Sequence, residues 1–372
     1  MKILYTNFHA GPGLGGHNTY IASLAQALRA RHQIAVAVPA SSSLFATAQD
    51  MPGVQAHAQD YPTRIGPMLA ALRSLSRLLR EQRYDIVHVN GSSDHRLVAL
   101  ACLLMKRPPK IVFTKHNDIP VKPVGAAVRS RLGTHHVIAV CEHVARRIGD
   151  SPYRRNSIST ILNGVDVDFY RPVNEEQQAA LRLEYFGPQA QGKIVLGSNA
   201  GTDDYKGWMD IVRALAQLPR AMADRFHVAL AGGALSEAQM AEVDALGLAG
   251  HLSYVGQLPD VRPFLNAIDV GFVLSYRVET ISFACREMMA SGKPVIVTRY
   301  AGLPENIDPG RDGWVVPPQD PASLSELLKA IADGAHDIAA MGRAAREKSV
   351  GQFGLDKFVS ATERAYQALL AS

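Results

Sequence analysis

Two carboxylates in the second half of the chain have the type and spacing to bind a polar ligand. Glu279 and Glu287 lie eight residues apart, in a stretch where Gly292 and Pro294 are expected to stop a helix. We expect Glu287 to open that helix, where a carboxylate can accept hydrogen bonds from two vicinal hydroxyls such as those of a ribose. The alternative is that each is an ordinary solvated glutamate.

A glycine loop near the N-terminus could bind an anion. Gly11, Gly13 and Gly16 form G-x-G-x-x-G, a pattern of dinucleotide-binding turns. Such turns need an acidic residue about 20 positions later, but residues 17–49 contain no Asp or Glu, which argues against NAD. Gly15 and Gly16 could still bring backbone N–H groups to a phosphate at a helix start. Alternatively, the glycines serve only a tight turn between strand and helix.

The elements that would position these residues alternate between short strands and amphipathic helices. The pattern predicts a strand at ILYTNF, a helix from about Asn18 to Arg31, and a helix at IGPMLAALRSLSRLLREQ with its arginines facing solvent. Alternation restarts at KIVLGSN and continues to GWVVPP. This implies an α/β fold with two doubly wound, Rossmann-like domains facing across a cleft.

The same pattern suggests where the chain divides. We predict an N-terminal, acceptor-side domain over residues 1–165, a C-terminal, donor-binding domain over 166–350, and a helix over 351–372 that packs back towards the first domain. The segment 166–191 interrupts the alternation with two prolines and a charged run, and we interpret it as the crossing between domains.

The charge differs between the two halves. Residues 1–170 contain 20 Lys and Arg against 10 Asp and Glu, whereas the remainder contains 19 against 24. A basic half can attract nucleic acid, an anionic membrane surface or an anionic substrate, or it can simply favour solubility. No basic motif is interleaved with aromatic residues, so we expect no nucleic-acid partner.

Apolar runs and cysteines favour a cytoplasmic protein. The longest apolar run, residues 97–105, is too short to span a bilayer, and the N-terminus lacks the apolar block of a signal peptide. Cys102, Cys141 and Cys285 are few and far apart, which is typical of reduced thiols. We predict a cytoplasmic location, with peripheral binding at the inner face of the cytoplasmic membrane.

The stretch ETISFACREMMASGKPV, residues 279–295, resembles a family motif. It is similar to E-x-F-G-x-x-x-x-E-A-M-A-x-G-x-P-V of the retaining GT-B glycosyltransferases of group 1, which use nucleotide sugars. Further landmarks follow in the family's order: LGGHNTYIASLAQAL, TKHN, ILNGVDVDFYRP, YKGW and DGWVVPPQD. The resemblance covers nearly the whole chain and implies the GT-B fold.

The resemblance also implies roles for individual residues. Gly15, Gly16 and Lys206 would meet the donor diphosphate, Glu287 would hold the ribose, and His116 would hydrogen-bond the donor sugar. The implied catalytic residues are His116, Lys206 and Glu279. The implied donor-binding residues are Gly15, Gly16, Asn199, Lys206, Thr280, Ile281, Ser282 and Glu287.

Some positions depart from the family pattern. An Arg five or six residues before the lysine is replaced by Gly201 and Ala200, so the second cationic phosphate contact is missing or comes from elsewhere. Thr280–Ile281–Ser282 replaces the small F-G element, which can change the sugar pocket. Cys141 stands where the family has a serine, and we interpret it as a buried replacement rather than a nucleophile.

No metal is expected. Residues 166–168 fit D-x-D, the metal–diphosphate motif of the other glycosyltransferase fold, but they lie in the N-G-V-D turn. Lys206 and helix N-termini could carry the charge of the leaving group without a divalent ion.

The predicted activity is transfer of a sugar from a nucleoside-diphosphate sugar, a UDP-sugar rather than a GDP-sugar, to a hydroxyl of an anionic glycan or lipid-linked acceptor. The resemblance implies retention of configuration, and no cofactor beyond this co-substrate is expected. Lipopolysaccharide or another cell-surface polysaccharide is the predicted pathway, and the basic face of 64–83 would contact anionic headgroups. Alternatives are a GT-B-fold nucleotide-sugar epimerase or phosphorylase, and an inactive sugar- or nucleotide-binding homologue.

Overall fold

The chain folds as two units, each built on its own parallel sheet. A computed structural model describes residues 1–11, 15–103 and 105–371. Unit 1 comprises residues 1–164 and 355–372, and unit 2 comprises residues 165–354. Gly13 of the predicted glycine motif lies outside the described residues.

Unit 1 contains a seven-stranded parallel sheet in the order β3-β2-β1-β4-β5-β6-β7. Its strands are β1 (Lys2–Thr6), β2 (Gln33–Val38), β3 (Val54–Ala58), β4 (Ile86–Val89), β5 (Lys110–Lys115), β6 (Thr134–Ala139) and β7 (Ser157–Thr160). Its helices are α1 (Gly16–Leu28), α2 (Ser43–Gln49), α3 (Ile65–Gln82), α4 (Ser92–Leu103), α5 (Pro123–Leu132), α6 (Glu142–Gly149) and, from the C-terminus, α15 (Leu355–Ala371).

The local sequence explains these elements. All four residues of β4 are buried, as expected for a central parallel strand covered on both faces. Helix α1 begins two residues before the predicted Asn18 and ends three before Arg31. Helix α3 has the predicted bounds, and its arginines are exposed. In α15, Tyr366 is fully buried and its hydroxyl bonds Tyr5 of β1 at 3.3 Å.

Unit 2 contains a six-stranded parallel sheet in the order β10-β9-β8-β11-β12-β13. Its strands are β8 (Ile194–Ser198), β9 (Phe226–Leu230), β10 (Leu252–Tyr254), β11 (Val270–Val273), β12 (Val295–Thr298) and β13 (Gly313–Val316). Its helices are α7 (Glu175–Phe186), α8 (Met209–Ala216), α9 (Arg220–Ala223), α10 (Glu237–Ala245), α11 (Arg262–Ala267), α12 (Phe283–Ala290), α13 (Pro321–Ala332) and α14 (Ile338–Gln352).

The segment 166–191 differs from its predicted role as a plain crossing. It holds α7, which starts with a capping box in which Asn174 and Gln177 satisfy each other's backbone N–H groups. Arg182 of α7 bonds Asp269 at 2.6 Å, beside the start of β11. The charged run is therefore a docked helix of unit 2, and its charges include a structural ion pair.

No helix of the described ranges combines the length and the apolar composition needed to cross a bilayer.

Candidate active site

Lys206 is placed by a tight turn at the carboxyl edge of the unit 2 sheet. The chain leaves β8, forms one 3-10 turn at Asp204–Lys206, and reverses at Gly207, whose φ is 71°. A Cβ on Gly207 would lie 2.1 Å from the carbonyl oxygen of Leu274, which follows β11. Only glycine fits this close approach, so backbone packing requires the glycine of the K-G pair.

The turn that holds Lys206 is tied to the loop that holds Glu279. The N–H of Tyr276 donates to the carbonyl of Tyr205 at 3.0 Å. Lys206 Nζ lies 2.8 Å from Glu279 Oε2, and the two side chains are only 15% and 13% exposed. Ser275 Oγ also donates to Glu279 Oε2 at 3.4 Å. The two predicted catalytic residues of unit 2 therefore form a largely buried ion pair.

The loop between β11 and α12 has an unusual backbone. Val278 and Ser282 have φ values of 53° and 51°, the left-handed region that side chains with a Cβ disfavour. The carbonyl of Ile281, which lies between these two residues, accepts from Asn306 Nδ2 at 2.7 Å. Asn306 Oδ1 in turn accepts from Nε of the buried Arg286 at 2.9 Å. Such strain persists where surrounding bonds enforce it, and it is typical of ligand-binding loops.

Thr280, Ile281 and Ser282 are buried at 6%, 3% and 8% exposure. The N–H of Thr280 donates to Glu279 Oε1 at 3.2 Å, so this backbone group already faces a carboxylate. Ser282 caps α12, since its Oγ accepts from the N–H of Cys285 at 3.4 Å. Three backbone units at a helix start thus lie beside the Lys206–Glu279 pair.

Glu287 lies one turn inside α12 and does not open the helix, which corrects the prediction. The helix starts earlier because Ser282 supplies its cap. The carboxylate of Glu287 accepts from Asn199 Nδ2 at 2.8 Å, and it also bonds the Tyr170 side chain. Burial raises the pKa of Glu287 above its ordinary value of 4.5, and the bonds from Asn199 and Tyr170 oppose that rise.

The position of the missing family arginine has a backbone explanation. Gly201 has a φ of 105°, which a residue with a Cβ rarely adopts, whereas a Cβ there would make only an ordinary contact with Lys206 Cε, at 3.6 Å. A different cation lies nearby. Arg277 Cζ is 5.9 Å from the centroid of the Tyr205 ring, and Lys206 Nζ is 5.2 Å from the same centroid. Arg277 comes from the strained loop, not from the segment after β8.

In unit 1, Gly15 and Gly16 form the start of α1. Gly15 is extended, and its carbonyl accepts from the N–H of Asn18 at 2.8 Å. Asn18 Oδ1 accepts from Asn7 Nδ2 at 2.8 Å, which fixes the helix start to the end of β1. The first turn of α1 contains no acidic residue, so its N–H groups could meet an anion without a competing carboxylate.

His116 follows β5 and bonds Asn90, which follows β4. His116 Nε2 donates to Asn90 Oδ1 at 2.9 Å. The amide of Asn90 donates to the carbonyls of Thr6 and His88 at 3.1 and 3.2 Å, so the amide oxygen must face the histidine. Nε2 therefore carries the proton, and neutral His116 has an unprotonated Nδ1 that can accept from a hydroxyl.

His116 stands in a row of rings. The centroids of His17 and His116 are 4.2 Å apart, and those of His9 and His17 are 4.7 Å apart. Burial and neighbouring cationic groups lower the pKa of His17 to about 3 and that of His116 well below its usual range. At neutral pH His116 is thus a hydrogen-bonding group and not a cation. His17 directly follows Gly16, so the α1 start and His116 are neighbours.

Two further sequence interpretations concern residues away from these clusters. Asp166 Oδ1 accepts from the N–H groups of Asp168 and Phe169 at 3.1 and 2.9 Å, as in a turn. Among residues 1–11, 15–103 and 105–371, no group of His, Cys, Asp and Glu has the geometry of a metal site. Cys141 is fully buried at the start of α6, where it fills space in the core.

Sequence reasoning missed several residues that contact the predicted ones or lie beside them, among them His17, Asn90, Tyr170 and Arg277. Asn90 carried a readable signal, since it directly follows the buried run IVHV at the edge where His116 was expected. Tyr170 had none, because it comes from the segment interpreted as a crossing.

Two family models match this chain. One is described as Glycosyltransferase Family 4 and matches residues 14–169, and the other as Glycosyl transferases group 1 and matches residues 193–333. Together they cover most of both units. The chain belongs to the group 1 glycosyltransferases of the GT-B fold.

Relatives of this glycosyltransferase act on different compounds, to judge from their names. The D-inositol 3-phosphate glycosyltransferase 1 of Catenulispora acidiphila is 25% identical over 77% of this chain and 73% of its own. The N-acetyl-alpha-D-glucosaminyl L-malate synthase of Bacillus anthracis is 25% identical over 81% and 79%. Together with the family match, these relatives support glycosyl transfer from a nucleotide sugar as the activity of this chain.

The fold of this glycosyltransferase matches solved structures. HepE of Anabaena, determined in complex with UDP, superposes with a TM-score of 0.85 over 99% of this chain and 100% of its own, at 19% identity. The same protein was also solved with UDP-glucose, and that structure gives a TM-score of 0.83. At this identity the likeness establishes the fold, with two Rossmann-like domains.

Proposed function

We propose that this glycosyltransferase uses a UDP-sugar and transfers the sugar with retention of configuration to a hydroxyl of an anionic acceptor. The observation that carries the donor half of the proposal is the paired arrangement in unit 2. A lysine faces one carboxylate and an amide faces a second, at the carboxyl edge of one parallel sheet. This edge is where doubly wound domains bind nucleotides.

In the proposed donor complex, Glu287 accepts hydrogen bonds from the ribose hydroxyls, and Asn199 and Tyr170 hold its carboxylate in place. Lys206 weakens its ion pair with Glu279 and neutralises charge on the diphosphate. The backbone N–H groups of Ile281 and Ser282, next to the start of α12, are proposed as further donors, and that of Thr280 joins them when it leaves Glu279. Arg277, which shares the Tyr205 ring with Lys206, supplies the second cation that the family takes from another position.

Retention follows from a front-face reaction in this proposal. The bond between the anomeric carbon and the phosphate oxygen breaks, the acceptor oxygen forms its bond on the same face, and the acceptor proton moves to the departing phosphate. Lys206 stabilises the negative charge that grows on that phosphate, so no metal ion is required. Neutral His116, whose Nδ1 can accept a hydrogen bond from a sugar hydroxyl, is assigned to the donor sugar by the family resemblance.

The acceptor is proposed to be anionic because the basic residues concentrate in the first half of the chain. Inositol 3-phosphate and malate, which appear in the names of two relatives, are anionic too. Burial lowers the pKa of Lys115, next to His116, to about 8, so its ammonium remains mostly charged at neutral pH. A lipopolysaccharide core or another lipid-linked glycan at the cytoplasmic face of the membrane fits this chemistry, and we propose a cytoplasmic, peripheral location.

The test is a thermal-shift panel with UDP, GDP, ADP, CMP and NAD in the presence of EDTA, followed by hydrolysis assays with the matching nucleotide sugars. A ligand at 100 times its Kd should add about 2.7 kcal/mol to the free energy of unfolding. We expect UDP to stabilise the wild type and not Glu287→Ala, and UDP-sugars to be hydrolysed slowly without acceptor. Stabilisation by NAD alone would overturn the proposal, and UDP binding without any turnover would favour an inactive homologue.

A further inference from the structure

Helix α5 of unit 1 has its polar and apolar faces reversed. Its buried residues are Ala126, Arg129 and Ser130, whereas Val124 and Val128 are 80% and 47% exposed. A helix on a sheet normally buries its apolar stripe and exposes its charges. Here a guanidinium faces inward and the branched apolar side chains face outward.

The reversal is stabilised from within. Arg129 Nε donates to Tyr153 Oη at 2.9 Å, which gives the buried guanidinium a partner. Val124, Val128 and Leu132 follow one another at intervals of four, so they form one stripe along the outside of the helix. Leu132 is 40% exposed, and Ile119, just before the helix, is 50% exposed. The outer face of α5 is therefore a continuous apolar strip on a well-anchored helix.

A second apolar exposure lies at the start of α3, where Ile65 and Leu69 are 74% and 48% exposed. The connections β3→β4 and β5→β6 cross the sheet in the same direction, so α3 and α5 lie on the same face. Both helices follow parallel strands, so both begin at the carboxyl edge of the sheet. His116 follows β5 at this same edge.

The segment that carries these strips is strongly basic. Residues 64–132 contain 13 Lys and Arg against 4 Asp and Glu, and one residue of each kind, Arg129 and Asp94, is buried. Lys122 and Arg131 are exposed at the two ends of α5, and Arg64 and Arg73 are exposed on α3. Exposed branched apolar groups flanked by cations are what an anionic lipid surface binds.

We propose that the outer strip of α5 (Ile119, Val124, Val128 and Leu132), together with the start of α3, docks unit 1 onto an anionic lipid bilayer. The apolar side chains enter the headgroup region, and Lys122, Arg131, Arg64 and Arg73 pair with lipid phosphates. A two-fold dimer fits less well, because it would bring the same cations of two copies together. Docking does not depend on the donor chemistry of unit 2, but it would present the His116 edge to a lipid-linked acceptor.

An introduced tryptophan reports on docking directly. Val124→Trp puts the indole on the most exposed position of α5, and the two native tryptophans, Trp208 and Trp314, are buried in unit 2. Vesicles of phosphatidylcholine with a quarter of phosphatidylglycerol should shift its emission to the blue and protect it from acrylamide. The matched control is Val350→Trp, on α14 of unit 2, where the valine is 46% exposed and no shift is expected.

Vesicle sedimentation separates the apolar from the ionic contribution. Val124→Asp/Val128→Asp should abolish binding, whereas Leu183→Asp, at a 52% exposed position of α7, should not. Lys122→Gln/Arg131→Gln should weaken binding about five-fold for each charge removed. Because all these side chains are exposed, the variants should keep the wild-type thermal transition and UDP shift, so a failed docking experiment leaves the donor proposal intact.

Two results would overturn the docking proposal. One is an unshifted Val124→Trp emission with anionic vesicles at physiological salt. The other combines two observations: the wild type does not bind vesicles, and light scattering shows a concentration-dependent dimer that Val124→Asp/Val128→Asp disrupts. That result would assign the strip to contact with a second copy of the chain.

Discussion

Lys206 and Glu279 should respond in opposite directions when each is neutralised and UDP binding is measured. In the free protein the ammonium lies 2.8 Å from the carboxylate, in a site where both side chains are largely buried. A diphosphate that reaches Lys206 must therefore also approach Glu279. Lys206→Met removes the attraction, whereas Glu279→Gln removes the repulsion and keeps the shape of the side chain.

The expected sizes follow from simple electrostatics. Loss of a charge-assisted hydrogen bond costs about 1.5–3 kcal/mol, so Lys206→Met should weaken UDP binding about 10- to 100-fold. With the ammonium between them, the carboxylate and the phosphate are about 5 Å apart, since each charge-assisted contact spans about 2.8 Å. At an effective dielectric constant of about 20 to 80, their repulsion is about 1–3 kcal/mol, so Glu279→Gln should tighten UDP binding about five-fold or more.

Isothermal titration with UDP in EDTA gives both affinities, and turnover of the UDP-sugar should fall in both variants because Glu279 is assigned to the sugar. Glu347→Gln is the control, since Glu347 pairs with Arg311 at 3.6 Å in an exposed site where the charge is screened. The reasoning is refuted if Glu279→Gln weakens UDP binding to the extent that Lys206→Met does, because the carboxylate would then be a direct ligand of the nucleotide.

Three further outcomes are expected. Gly207→Ala should lower the free energy of unfolding by about 3 kcal/mol or more in chemical denaturation. The control is Gly256→Ala, where φ is 74° and nothing lies within 4 Å of an added Cβ, and it should lower that free energy by only about 1 kcal/mol. Equal losses would contradict the packing explanation. As pH rises above 4.5, the stability of the wild type should fall relative to Glu287→Gln, because burial raises the pKa of Glu287 and the unfolded chain loses that proton first. UDP affinity should rise more steeply in the wild type than in the variant, and parallel pH profiles would count against this. Arg277→Gln should weaken UDP binding about ten-fold without changing uridine binding in a competition assay, and an equal effect on uridine would place Arg277 away from the phosphates.

The fold was predictable because strand and helix periods were clear in both halves of the chain. Strands such as β4 are short buried runs, and α3 is a long amphipathic segment, so local pattern and tertiary burial agree there. The prediction of two Rossmann-like domains is confirmed by the match to solved structures. Helix α7 within 166–191 was not predicted, because polar capping residues and an ion-pairing arginine build it without a strong apolar stripe.

The candidate site was predictable only where a motif carried it. Spacing drew attention to Glu279 and Glu287, and the family resemblance to Lys206. The start of α12 was misplaced because no simple period reveals that Ser282 has a positive φ and still caps the helix. Arg277 could not be linked to Lys206 from sequence, because only the packing of Gly207 on Leu274 brings their loops to the same tyrosine ring. When two backbone segments far apart in sequence pack this closely, the only sign of it in the sequence is a glycine.

The missing family arginine and the position of Arg277 are connected by that packing. Glycine at position 201 permits a backbone with φ of 105°, which an arginine could adopt only with strain. A cation lost from one loop can be replaced from another only if the two loops are held together, and the bond from the N–H of Tyr276 to the carbonyl of Tyr205 does this. The Lys206 turn and the strained loop therefore form one structural element. A substitution that separates them, such as Gly207→Ala, should impair phosphate binding through Lys206 and Arg277 together.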